Sequence, residues 1–368
     1  MPLCVVRCVV VDRRCRGSKG KAKIEGYMSI SDEEAHHLFI MGGLRGTAFN
    51  VLEAHAYKPP VDLLVCKTQT HATTCICTLP TNHPLSTIAR HAAKRFVNRH
   101  HSPLHYLFHQ TQLNPLTTKH ISTFCRLPFH KPTFKTKISP SKDVVLELTK
   151  KTHNSTKYKV YCDGSSTEGG VSAAAILYKN NWLIKTHRAY LGSADEHTVF
   201  EAELVGILLA LSLLYNLSCQ LIMKPLIGLD NQATLHTLNN EKTKPSHYLL
   251  DHIHKAVEKL NKKQDKIQNP AVFWNTCHTD NCIIAKLSGV VDLRLQWIPG
   301  HVDFTLNEKA DAEAKRAARG QPSTSTSLPK LLRKSLLHSI LALHQNQKAE
   351  IQRKWLCRWK ASPRYPKQ

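Results

Sequence analysis

Between residues 157 and 320 the hydrophobic period of the chain switches repeatedly, and the order of those switches restricts the fold more than any other feature. Residues 157–162 read as a short strand. Residues 171–178 and 182–191 read as two more, joined by Lys179-Asn180-Asn181, a hairpin turn signal. Thr198-Val199-Phe200-Glu201 is a capping box that opens a helix whose Leu204, Ile207, Leu208, Leu211 and Leu214 form a broad apolar stripe. A fourth strand over 221–229 is interrupted by Lys224-Pro225. A short helix over 231–238 follows, then a longer one over 248–260 with Leu249, Ile253, Val257 and Leu260 on one face. Residues 262–287 read as an inserted loop, 290–298 as a fifth strand and 306–319 as an Ala-rich last helix. The order β-β-β-α-β-α-α-β-α predicts an α/β domain: one mixed five-stranded sheet with helices on both faces.

Four acids stand at the ends of these elements or on them: Asp163 after the first strand, Glu203 early in the first helix, Asp230 after the fourth strand and Asp311 on the last helix. Carboxylates gathered at one place stay ionised together only around a cation, so the placement points to a metal site. Each acid also has a plainer reading. Asp163 before Gly164 suits a turn, Glu203 a solvated helix face, Asp230 an N-cap and Asp311 a helix surface. Glu201 and Glu203 lie two apart on a helix and point in different directions, and Glu201 already has a capping role.

The charge balance bears on the partner. The chain carries 51 Lys and Arg against 27 Asp and Glu, a formal charge of +24, yet residues 157–320 are nearly balanced at 19 to 17. The excess sits in the flanks, 22 to 9 before residue 157 and 10 to 1 from Gln321 onward. Cationic flanks around a carboxylate-bearing middle suit a polyanionic substrate. No run approaches 18 apolar residues, so no membrane span is expected. The start, Met1-Pro2-Leu3-Cys4-Val5-Val6-Arg7, is a poor signal peptide. The 12 cysteines are scattered in apolar contexts and read as reduced, intracellular thiols.

The flanks divide further. Residues 1–110 are basic and partly helical. Residues 48–55 suit packing, Pro59-Pro60 is a break, and 61–79 is a buried segment. Pro84 opens a helix over 85–99 with Leu85, Ile88, Ala92 and Phe96 at helical spacing. Residues 111–156, with several Pro, Lys, Ser and Thr and little pattern, read as a linker. Residues 321–368 form a basic tail: a Ser/Thr linker at 322–327, then an amphipathic helix over 331–360 in which Trp355 and Trp359 pack on protein. Two zinc readings are weak on spacing, Cys75 and Cys77 with His71 and His83, and Cys277-His278 with Cys282. His100, His101, His105 and His109 read as a solvated basic face.

Taken together, the middle segment resembles a type 1 ribonuclease H domain. The resemblance runs from Asp163-Gly164-Ser165 through Glu203-Leu204 and Asp230-Asn231-Gln232 to Trp297-Ile298-Pro299-Gly300-His301 and Asn307-Glu308-Lys309-Ala310-Asp311. Leu52-Glu53-Ala54-His55, the helical stretch to Arg99, and Trp355, Arg358, Trp359 and Pro363-Arg364-Tyr365 resemble the C-terminal end of a fungal-type non-LTR retrotransposon polyprotein. The chain contains no Asp-Asp pair, so the reverse transcriptase metal motif is missing. The resemblance implies Mg²⁺-dependent endonucleolytic cleavage of the RNA strand of an RNA–DNA hybrid. Two ions, with Mn²⁺ as a substitute, would be held by Asp163, Glu203, Asp230 and Asp311, with Asp163 bridging them. The family's ligand directly before Leu selects Glu203 over Glu201. His301 would relay a proton to the leaving group or help release product, although Asp303-Phe304-Thr305-Leu306 departs from the small residues usual after it. Ser165 and Ser166 are candidates for the 2′-hydroxyl and Asn231 and Gln232 for substrate contact, with turn and helix-start roles equally open. The alternative is a catalytically inactive nucleic-acid-binding remnant of a retroelement.

Overall fold

The computed structural model describes residues 46–94, 102–121, 132–138, 142–219, 221, 224–239, 246–266, 291–300 and 305–365; for residues 142–146 and 148 the backbone alone is described. The chain divides into two units, Met1–Ile121 with Leu343–Gln368, and Ser122–Ala342.

The first unit is helical. It contains α1 (Phe49–His55), α2 (Val61–Cys77), α3 (Pro84–Lys94) and α4 (Pro103–Thr111). Pro60 immediately precedes α2 and Pro84 opens α3, where a missing N–H costs nothing. On α3 the expected stripe holds at Ala92 and fails at Leu85 and Ile88, while Phe96 lies outside the described residues. Leu85 and Ile88 are exposed, whereas Ser86, Ala89 and Ala92 are buried, because small side chains let neighbouring helices approach. His105, half-exposed, also has a local role: it forms a capping box with Ser102 at the start of α4. His109 is exposed, and His100 and His101 lie outside the described residues.

The second unit holds β1 (Lys135–Lys137), α5 (Lys142–Ser155), β2 (Tyr158–Thr167), β3 (Gly170–Lys179), β4 (Trp182–Ser193) and α6 (Val199–Tyr215). Next come β5 (Leu226–Leu229), α7 (Gln232–Leu238), α8 (His247–Lys266), β6 (Arg294–Trp297) and α9 (Thr305–Ala318). From β2 onward the order is the expected one. Asn180 (φ 48°) and Asn181 (φ 74°) close the β3–β4 hairpin in the left-handed conformation that matches strand twist. Lys262 to Lys266, read as loop, finish α8; the rest of that expected insertion lies outside the described residues.

The sheet has six strands among the described residues, not five, in the order β1-β6-β5-β2-β3-β4. β2, β3 and β4 are antiparallel, while β5, β6 and β1 run parallel to β2. The extra strand and α5 fall inside the stretch 111–156 read as a linker, which is therefore corrected. Lys135-Thr136-Lys137 is too short and polar to show alternation, and its pairing comes from β6. Two polar contacts hold the described part of α5: Thr149 Oγ1 accepts from Gln296 Nε2 at 3.1 Å, and His153 Nδ1 lies 2.8 Å from the Tyr161 hydroxyl.

β2 is buried on both faces along most of its length. One face carries Val160 and Cys162 against α6, in a core that includes Leu204, Ile207, Leu211, Leu235, Leu250 and Ile253. The other carries Tyr161, which packs with Ile176, Tyr178, Ile298 and Ala310 of α9. α6 is buried nearly all round rather than along one stripe, since the sheet and α8 cover opposite sides of it.

The tail also departs from expectation. Ser323 does not float in a linker. Its N–H donates to the Arg188 carbonyl and its hydroxyl accepts from the Arg188 N–H, both at 2.9 Å, satisfying edge strand β4. A short turn at Ser325–Ser327 stands in the expected linker; where a helix was expected from residue 331 a second short turn, Lys330–Arg333, stands instead, and α10 begins only at Ile340 and ends at Lys360. Trp355 and Trp359 are half-buried on α10, and Trp359 meets Tyr365 edge-on at 5.9 Å.

Candidate metal centre

Four elements deliver the acids. Asp163 lies midway along β2, paired with Ala174 of β3. Glu203 sits in the first turns of α6, Asp230 directly follows β5, and Asp311 is on α9. Asp163, Glu203 and Asp230 each place a carboxylate oxygen within 4.8 Å of the others; among the described residues this is the group of three His, Cys, Asp or Glu that does so. Asp311 reaches the cluster through a hydrogen bond with Asp163 and is itself held by Lys315 Nζ at 2.6 Å.

Close approach of α6 to β2 makes this possible. A Cβ on Gly164 would come within 2.5 Å of the Glu203 backbone N and 2.7 Å of the Ala202 carbonyl carbon, so only glycine fits there. Glu201, one turn-face away, is fully buried in a separate network. It completes the capping box with Thr198, and its Oε1 accepts from the Ser246 hydroxyl at 3.0 Å.

The electrostatics follow from crowding like charges in a dry place. Burial, then the charges of Asp230 and Asp311, push the Asp163 carboxyl up to about 8. Burial, then Asp163 and Asp230, hold Glu203 well above the usual carboxylate range, against the opposing hydrogen bonds from the Asn231 side chain and the Gly164 backbone. Glu203 Oε2 is buried with no hydrogen-bond donor. A hard, oxygen-only donor set with an unsatisfied buried oxygen fits a divalent cation of the Mg²⁺ type.

Two interactions at Asp230 have no counterpart in the sequence reading. The Asn307 amide donates to Asp230 Oδ2 at 3.2 Å, and Trp297 Nε1 donates to the Asp230 carbonyl at 2.9 Å. Asn307 stands four residues before Asp311 and Lys315 four after, so all three share one face of α9; that spacing is the signal in the sequence. The N-cap of α7 is Asn231, accepting from the Thr234 N–H at 3.1 Å, which frees Asp230 from that role. Gln232 and Ser166 are exposed or half-exposed at the surface. Ser165 is buried, its hydroxyl 3.2 Å from that of Thr167. His301 lies outside the described residues, as do Cys277, His278 and Cys282. In the helical unit Cys75 Sγ lies 3.9 Å from His71 Nδ1, and burial pushes the Cys77 thiol up to about 12, so no zinc cage forms there among the described residues. A cavity of about 270 Å³, lined by residues such as His105, Phe108, His109 and Asn114, belongs to that unit and contains none of the carboxylates.

Residues 155–319 match the RNase H family model. None of the curated proteins compared with the chain matches it. Among solved structures, RNase H1 from the halophilic archaeon Halobacterium salinarum NRC-1 is 16% identical, covering 45% of this chain and 98% of its own, with a TM-score of 0.30. LC11-RNase H1, isolated from compost and crystallised with an RNA/DNA hybrid, is 16% identical over 45% of this chain and 98% of its own, TM-score 0.25. The foamy viral protease-reverse transcriptase in complex with an RNA/DNA hybrid is 15% identical over 53% of this chain and 22% of its own, TM-score 0.30.

Proposed function

We propose that the sheet unit is a ribonuclease that hydrolyses the RNA strand of RNA–DNA hybrids, leaving a 3′-hydroxyl and a 5′-phosphate. The observation that carries this reading is the meeting of carboxylates from β2, α6 and the end of β5 at one largely buried spot, with Asp311 of α9 acting on Asp163 from beside it, inside the residues that match the RNase H family. Asp163, Glu203, Asp230 and Asp311 would hold two Mg²⁺ ions, for which Mn²⁺ is a substitute. When bound, such a pair of ions supplies an activated water and a counter-charge for the leaving oxygen.

The chain's own groups prepare that chemistry. Asn307 fixes the rotamer of Asp230 by donating to Oδ2. Asn231 orients Glu203 while it caps α7. Lys315 holds Asp311 beside Asp163. Ser166 and Gln232 are exposed and are assigned contact with the substrate strand, where the 2′-hydroxyl distinguishes RNA from DNA. His301, four residues before α9, is assigned the proton delivered to the leaving group. On the flank residues named above, the chain is also assigned to the C-terminal end of a retroelement polyprotein.

The test uses the full chain, an end-labelled hybrid, and Mg²⁺ or EDTA. Cleavage should require the ion and disappear in Glu203→Gln. Cleavage that survives both would sink the proposal; binding of the hybrid without any cleavage would assign the inactive remnant instead.

A further inference from the structure

The two basic flanks, separated by the whole sheet unit in sequence, come together in one folded body. α10, from Leu343 onward, belongs to the same unit as α1–α4. It is tied in by Gln347 Nε2, which donates to the Cys66 and Lys67 carbonyls at 3.4 and 3.1 Å. The Asn50 amide also donates to the Ser362 hydroxyl at 2.7 Å. The described part of this unit carries 11 Lys and Arg against three Asp and Glu.

What happens to those three acids decides the surface. Glu53 is buried. Asp62 is held by both arms of Arg358, at 2.8 and 2.7 Å. Glu350 pairs with Lys354 at 2.7 Å. Asp62 and Glu350 stay exposed, but each is already paired with a cation, so among the described residues of the unit the exposed Lys58, Lys67, Lys94, Lys348, Arg353 and Lys360 stand in excess. A folded body whose few acids are buried or paired, and which shows an excess of lysine and arginine outward, is suited to meet a polyanion.

We infer that this discontinuous helical unit is a second nucleic-acid-binding surface, which grips phosphates without reading sequence and keeps the chain on its substrate. The choice of nucleic acid over an anionic lipid surface rests on the ribonuclease reading of the sheet unit; the grip itself does not.

The experiment places the full chain in an Asp163→Asn background, so that a fluorescent hybrid is bound and not cut, and measures affinity between about 50 and 300 mM salt. Replacing Lys67, Lys348, Arg353 and Lys360 together by Gln should lower the slope of log K against log salt by roughly 0.9 for each phosphate no longer neutralised, about 3 to 4 in all. A companion with Arg at the three lysines and Lys at Arg353 should restore the slope, which separates removal of charge from failure to fold. An unchanged slope in the Gln variant overturns the inference. So does a Gln variant that loses binding to phosphatidylserine vesicles while holding the hybrid as before. Cleavage by the otherwise wild-type chain is read separately. Its absence alongside an altered slope sinks only the ribonuclease reading, and an unchanged slope alongside normal cleavage sinks only this one.

Discussion

Replacing Asp163 by Asn tests the electrostatics of the carboxylate cluster without relying on activity. In the metal-free protein the Asp163 carboxyl is pushed from 3.8 up to about 8, first by burial and then by Asp230 and Asp311. The folded state therefore keeps a proton that the unfolded chain releases, across the window from about pH 4 to pH 8. Because the unfolded state binds fewer protons there, stability falls as pH rises through the window and levels off above it. One pH unit corresponds to about 1.4 kcal/mol, and the neighbouring carboxyls share the proton, so the loss is on the order of a few kcal/mol. Asn is close in shape to the protonated acid and carries no charge at any pH. Urea unfolding of the full chain in EDTA, wild type beside Asp163→Asn, isolates the group, because the histidines and the helical unit are common to both proteins. The variant should match wild type near pH 4 and exceed it by a few kcal/mol near pH 8. A difference that stays flat with pH would refute the reasoning, since Asp163 would then not be buried among like charges.

Three further outcomes follow from named interactions. Asn307→Ala removes the donor to Asp230 Oδ2 and should weaken divalent-cation binding on the order of 10- to 100-fold, read by titration calorimetry. Lys315→Gln frees Asp311 from its 2.6 Å ion pair and should tighten that binding while leaving the melting temperature nearly unchanged, because the pair is part-exposed. Gly164→Ala forces a Cβ against the backbone of α6 and should cost about 1–3 kcal/mol in urea unfolding, with loss of cation binding as Glu203 is displaced.

The parts of the fold legible in the sequence were those with their own local signal. The Asn180-Asn181 turn, the Thr198–Glu201 capping box and the period of α8 each act over a few residues, and each stands where it was read. β1 was illegible because a three-residue polar strand owes its existence to the β6 backbone beside it. α5 lies in a stretch whose several Pro, Lys, Ser and Thr read as linker, and two of its described contacts, from Thr149 and His153, are polar. On α3 the larger residues, Leu85 and Ile88, pointed to the wrong face, since close packing selected alanines. At the site, Glu203, Asp230 and Asp311 could be placed on or beside their elements from the chain alone, whereas Asp163, read as following a strand that ended at residue 162, lies within β2. Their meeting depended on tertiary approach, which Gly164 permits, and on partners such as Asn307 and Lys315 whose spacing on α9 was visible but carried no meaning until Asp230 and Asp311 were seen beside them.

The most direct measurement is anomalous scattering from crystals of the full chain soaked in Mn²⁺. Peaks within bonding distance of Asp163, with Glu203 and Asp230 on one and Asp311 on the other, are the expected result, about 2.0–2.6 Å from their oxygens. A fully soaked crystal with no peak among these four carboxylates would contradict the account.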